Sequence, residues 1–107
     1  MMKRGDIYWI NLDLTKGSEI RKKRPCVLLG ATAINQARRT VIAIPLSTSA
    51  KARPPIVISV ACLNRKATIV CDQIRAVDKN RIGERIGSLS PEKLQELEQA
   101  MRQVLVL

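Results

Sequence analysis

Six short apolar stretches punctuate this chain, each closed by a turn or a polar loop before it reaches helical length, and one helical stretch follows them. The stretches cover residues 7–12, 25–30, 40–46, 56–61, 67–77 and 82–89. Residues 40–46, TVIAIPL, are β-branched and carry Pro45 near their end, which suits an edge or an interruption better than an unbroken central ladder. Two polar loops separate strands, one over 13–22 (DLTKGSEIRK) and one that starts at Ser47-Thr48-Ser49 and runs on through AKARPP. Residues 32–38 are predicted to form a short helix. Ser90-Pro91 marks the start of the last element, with serine as N-cap, proline at the first helical position and Glu92 at the positive end of the dipole. Leu94, Leu97, Met101, Val104 and Leu105 then recur at steps of three and four, giving one apolar face. Many short strands and one terminal helix predict a mainly β (α+β) fold, a small barrel with a helix packed on it.

The length, 107 residues, fits one domain over 1–107. Tyr8 and Trp9 are the only aromatic residues, so the core must be built from Ile, Val and Leu. The net charge of +10 calls for a polyanionic partner, most simply a nucleic acid. An acidic protein would satisfy the same field, and a solvated basic surface is the plainer alternative. Cys26, Cys62 and Cys71 are odd in number and lack metal-ligand spacing, so buried free thiols in a reducing cytosol are expected. The opening, MMKRGDIYWINLDL, lacks the apolar stretch of a signal peptide, and no apolar run approaches the roughly 20 residues of a membrane span. A cytoplasmic location is therefore expected, with no membrane.

The most informative absence is histidine, of which there is none. That removes a Ser-His-Asp hydrolase, an RNase with a histidine pair and the imidazole ligands of a zinc hydrolase. No paired-carboxylate motif for magnesium and no GxxxxGK[ST] phosphate loop occur. No metal site and no cofactor are expected. RNA cleavage remains open, because RNA carries its own nucleophile, the 2′-hydroxyl. The protein must align that hydroxyl with the phosphate, stabilise the phosphoryl oxygens and move protons. The planar fork of arginine pairs two phosphate oxygens, hydroxyls can donate to a third, and a carboxylate can carry a proton. Arg24, Ser47-Thr48-Ser49, Glu19 and Asp72 are residues of the right kinds at strand–loop junctions. Each has a plainer reading: Arg24 as part of a solvated RKKR run, the hydroxyls as turn residues, Glu19 as a partner of Lys22, and Asp72, inside an apolar strand, as a salt bridge to Arg75 or Arg85.

Four segments in order resemble the MazF/PemK (Kid) family of toxin endoribonucleases: RGDIYWINLDLTKGSEI (4–20), KRPCVLL (23–29), IPLSTS (44–49) and CDQIRAVDKNRIG (71–83). The resemblance implies an SH3-like open β-barrel with a C-terminal helix, the CcdB/PemK-type toxin fold, assembled as a homodimer. It implies metal-independent, sequence-specific cutting of single-stranded mRNA, with a 2′,3′-cyclic phosphate and a 5′-hydroxyl as products. It also implies an acidic cognate antitoxin laid over the site. The family's arginine falls on Arg24, its hydroxyl on Ser47, its loop glutamate on Glu19, and its strand acid and amide on Asp72 and Gln73. Serine stands at 47 where the family carries threonine, and Val70 stands where one branch carries an assisting arginine. Arg24 and Ser47 are therefore the expected catalytic pair, with Glu19 and Asp72 as acids. Lys16, Thr48, Ser49, Lys51, Arg53 and Gln73 are expected to contact substrate. A gyrase poison of the same barrel, which resembles proteins with a tryptophan near the C-terminus, is disfavoured because this tail is QVLVL. A non-cleaving basic RNA-binding barrel is the third reading.

Overall fold

The computed structural model describes residues 2–12, 23–48, 53, 57–62 and 65–107. Seven strands form one antiparallel sheet: β1 (Asp6–Asn11), β2 (Lys23–Leu28), β3 (Thr40–Ser47), β4 (Val57–Cys62), β5 (Arg65–Val70), β6 (Arg75–Asp78) and β7 (Ile82–Ser88). Two helices accompany them, α1 (Thr32–Ala37) after β2 and α2 (Pro91–Leu105) at the C-terminal end. The strand order is β4-β5-β3-β2-β1-β7, with β6 also on β3. This curled sheet with its terminal helix agrees with the mainly β fold and packed helix expected from the strand rhythm, and with the open barrel that the family resemblance implies.

β3 is the hinge of the design. Its first half, Thr40–Ala43, pairs with β6 (Asp78–Arg75), while Leu46 and Ser47 pair with Ile69 and Thr68 of β5. One edge thus receives two strands in succession, and the ladder is interrupted opposite residues 44–45. The Leu29 amide donates to the Ile42 carbonyl. By the alternation of an antiparallel strand, residues 42 and 44 turn their backbone groups to β2, and Pro45 turns its ring nitrogen to the interrupted edge. A proline is tolerated there because no ladder bond needs its missing N–H.

This interruption corrects the sequence reading of residues 67–77 as a single strand. A 3₁₀ turn, Cys71–Gln73, separates β5 from β6. Asp72 accordingly lies exposed on a turn rather than buried in a strand. Among the described residues, the salt bridge to Arg75 or Arg85 offered as its plainer reading is not among the ion pairs. Arg85 pairs with the buried carboxylate of Asp6 at 3.4 Å, and Arg75 donates to the Gln73 side-chain oxygen at 3.1 Å. The cysteines also divide: Cys26 and Cys71 are buried free thiols, whereas Cys62 is only half-buried. Burial pushes the Cys26 thiol up to about 12 and Cys71 to about 11.

Both faces of the sheet are apolar. Ile7, Val27, Ile44 and Leu46 join Leu97, Ala100 and Met101 of α2 in one core, while Tyr8, Ile10, Leu28 and Val41 build a second. The helix begins as its sequence dictates, with the Ser90 hydroxyl accepting from the Lys93 amide at 3.1 Å. It is tied to the sheet through Gly5, whose amide donates to the Leu28 carbonyl and whose carbonyl accepts from Leu89. Gly5 has φ +94°, and a Cβ there would lie 3.4 Å from Leu94 Cδ2. Gly5→Ala is therefore expected to destabilise the fold by about 1–2 kcal/mol. A thermal melt checks this, and an unchanged Tm would show that the turn relaxes at no cost.

At the end of the helix and just past it, Leu105, Val106 and Leu107 are 48%, 88% and 85% exposed. The αL conformation at Val106 (φ 57°) closes the helix and turns these residues away from the core.

Candidate nucleic-acid cleavage site

A cavity of about 190 Å³ opens where β1, β2, the end of β3, β4 and β5 converge. Arg24 lines it from β2, Ser47 and Thr48 from the end of β3, Cys62 from β4 and Arg65 from the start of β5. Trp9 of β1 stands beside them, opposite Pro25 in the β1–β2 register. Two residues 23 positions apart in sequence, Arg24 and Ser47, thus share one cavity because β2 and β3 are antiparallel neighbours.

The placement of Ser47 is fixed by its neighbours. It is 8% exposed, its carbonyl accepts from the Thr68 hydroxyl at 3.0 Å, and Thr68 itself is buried on β5. Thr48, one residue further, is exposed. The more confined hydroxyl of the pair is therefore Ser47, although both line the cavity.

Arg24 is half-buried, and its Nε is enclosed with no hydrogen-bond partner among the described residues. A buried guanidinium N–H without an acceptor carries a desolvation cost of about 1–3 kcal/mol, which an anionic ligand in the cavity would offset. Lys23 and Arg65 add two further cations at the rim. No described carboxylate lines the cavity, and the described charges that line it, Lys23, Arg24 and Arg65, are all positive. Among the described residues, no group of three or more His, Cys, Asp or Glu side chains comes together in a way that could hold a metal ion.

The sequence-predicted residues divide accordingly. Arg24, Ser47 and Thr48 are brought together. Asp72 and Gln73 do not line this cavity, and Arg53 is exposed in an isolated bridge to Val57. Glu19, Lys16, Ser49 and Lys51 lie outside the described residues. Sequence reasoning missed Trp9 and Arg65 as site residues. Trp9 sits in an apolar strand and reads as core, and Arg65 precedes a strand with no motif to mark it. Only the register, which places Trp9 beside Pro25 and β5 beside the end of β3, reveals both.

Comparison with known proteins agrees with this fold. The family model described as a PemK-like, MazF-like toxin of type II toxin–antitoxin systems matches residues 3–105. A curated relative, the endoribonuclease MazF of Staphylococcus saprophyticus, is 33% identical over 106 residues, spanning 94% of this chain and 88% of the relative. Among solved structures, MazF from Deinococcus radiodurans superposes with a TM-score of 0.87 at 23% identity, covering 98% of this chain and 96% of that one. A mycobacterial endoribonuclease in complex with its cognate antitoxin superposes with a TM-score of 0.80 at 22% identity, covering 98% and 95%.

Proposed function

This chain belongs to the PemK-like, MazF-like family of toxins of type II toxin–antitoxin systems, and from that premise we propose that it is a metal-independent endoribonuclease that cuts single-stranded mRNA in the cytoplasm. The observation that carries the reading is the enclosed Nε of Arg24, without a partner among the described residues, in a cavity that Ser47 also lines.

In this mechanism the scissile phosphate enters the cavity and Arg24 pairs with two of its oxygens through the guanidinium fork. The Ser47 hydroxyl donates to a phosphoryl oxygen. The 2′-oxygen of the upstream nucleotide attacks phosphorus, so the O2′–P bond forms and the P–O5′ bond breaks. Glu19, the loop acid that the family resemblance assigns, takes the 2′-hydroxyl proton, and the departing 5′-oxygen takes a proton from solvent water to leave as a hydroxyl. Arginine contributes most as negative charge spreads over the phosphoryl oxygens, since the cavity keeps the opposing dipoles already in place. Lys23 and Arg65 attract the backbone, and Trp9 offers an aromatic face on which a base can stack.

The partner that controls such a site is an acidic antitoxin, for which the positive cavity is the matching surface. With purified protein and a long single-stranded RNA in EDTA, the expected products carry a 5′-hydroxyl and a 2′,3′-cyclic phosphate. Products bearing a 5′-phosphate would overturn the mechanism, and intact RNA the activity.

We further propose a homodimer in which the exposed Leu105, Val106 and Leu107 meet a second subunit. Sedimentation at micromolar concentration is expected to give twice the mass of one 107-residue chain. A monomer would contradict it.

A further inference from the structure

A second, larger groove of about 810 Å³ adjoins the cavity and has no role in the mechanism above. Asn11, Lys23, Asp78, Asn80, Arg81, Ile82 and Gly83 line it. Lys23 lines both spaces. Gly83 lines the groove beside Lys23. A Cβ there would lie 3.4 Å from the Trp9 carbonyl oxygen, 3.7 Å from Trp9 Cβ and 4.0 Å from Lys23 Cε, in ordinary contact with two residues that line the cavity.

The groove wall is held firmly. The 3₁₀ turn Lys79–Arg81 is anchored by the Lys79 amide on the Arg39 carbonyl at 2.9 Å and by Lys79 Nζ on the Gln36 carbonyl at 3.1 Å. Asp78 accepts from the Asn80 amide at 2.8 Å. Arg81 spends one N–H on the Asn11 carbonyl at 3.2 Å, which fixes its guanidinium at the wall with donors remaining. The Asn80 side-chain amide has no partner among the described residues and is exposed.

We propose that this groove holds the nucleotides flanking the scissile phosphate, with Arg81 on a backbone phosphate and Asn80 on a base edge. The inference rests on the endoribonuclease reading for its ligand. The lining chemistry favours RNA over an acidic peptide. Arg81 and Lys23 suit phosphates, the amide presents both a donor and an acceptor to a base, and the Asp78 carboxylate accepts from a base amino group but repels a second carboxylate. Arg81 is thus a residue for substrate affinity and Asn80 one for base preference.

The test uses 2′-O-methyl RNA, which cannot be cut, as a labelled trinucleotide and a labelled nonanucleotide of mixed sequence, with binding read by fluorescence anisotropy. Arg81→Gln is expected to weaken the nonanucleotide about tenfold, the effect of one charge-assisted hydrogen bond, and the trinucleotide less than about twofold. The slope of log affinity against log salt for the nonanucleotide should become shallower by about 0.7, one phosphate contact. Arg81→Lys, which keeps the charge, should retain that slope and guards against misfolding as the cause. Should Arg81→Gln lose its thermal transition, Asn80→Ala replaces it and is expected to change the ranking of the four homopolymeric nonanucleotides. Equal losses on both oligonucleotides, an unchanged nonanucleotide affinity, an unchanged homopolymer ranking, or weakened binding of oligoglutamate alone would overturn the proposal. Cleavage is scored separately. A wild-type protein that binds through Arg81 but does not cut leaves the groove standing and ends the endoribonuclease reading, whereas cutting that ignores Arg81 ends the groove alone.

Discussion

Arg24→Lys is expected to lower the rate of RNA cleavage by roughly 100-fold or more, about 2.7 kcal/mol of transition-state stabilisation. The substitution keeps one positive charge in a cavity that already holds Lys23 and Arg65, so the long-range attraction for RNA changes little. What it removes is geometry. Lysine has a single ammonium on a flexible stem and cannot present two parallel N–H groups to a phosphate. The Arg24 Nε is already enclosed without a partner, so the cost of desolvating it has been met before substrate arrives. Its hydrogen bond strengthens as charge develops, which places the loss in kcat more than in RNA affinity. Stopped or single-turnover cleavage beside a binding isotherm separates the two. Turnover near that of the wild-type protein would return Arg24 to the solvated cationic run that its sequence neighbours suggest.

Much of this arrangement is legible in the sequence because the signals are local. The β-branched runs, the Ser90-Pro91 cap and the apolar spacing of Leu94, Leu97 and Met101 each fix an element by short-range chemistry. Residue type in a histidine-free chain narrows the candidates to Arg24, the Ser47–Ser49 hydroxyls, Glu19 and Asp72, and the family resemblance picks Arg24 and Ser47 from among them. Their meeting in one cavity depends on strand order, which no local pattern encodes. The break at residues 71–73 is hidden for a related reason. Residues 67–77 are apolar enough to read as one strand, and the turn exists because β3 must be shared between two partners. Asp72 is misplaced in the sequence reading on that account alone. Trp9 is hidden by its company, since an aromatic residue between Tyr8 and Ile10 looks like core until the register sets it opposite Pro25, at the cavity that Arg24 lines. Gly83 and Arg81 carry no signal in isolation. Their meaning comes from the groove they line together with Lys23.

The second large effect concerns the substrate. Replacing the 2′-hydroxyl at the scissile nucleotide by hydrogen removes the nucleophile while leaving the phosphate, the bases and the charge that Arg24, Lys23 and Arg65 recognise. The chain has no histidine, and among the described residues no cluster of potential metal ligands offers a way to activate water in its place. Binding of the deoxy-substituted strand should therefore stay within about tenfold of the all-RNA strand, because a single neutral hydrogen bond is worth about 0.5–1.5 kcal/mol. The decisive measurement is the single-turnover cleavage rate of these two strands by the same protein in EDTA. The mechanism predicts cutting of the RNA strand and none of the deoxy-substituted one at that position. Efficient cutting of the deoxy strand would show that the 2′-oxygen is not the nucleophile and would contradict the assignment of Arg24 and Ser47 to transesterification.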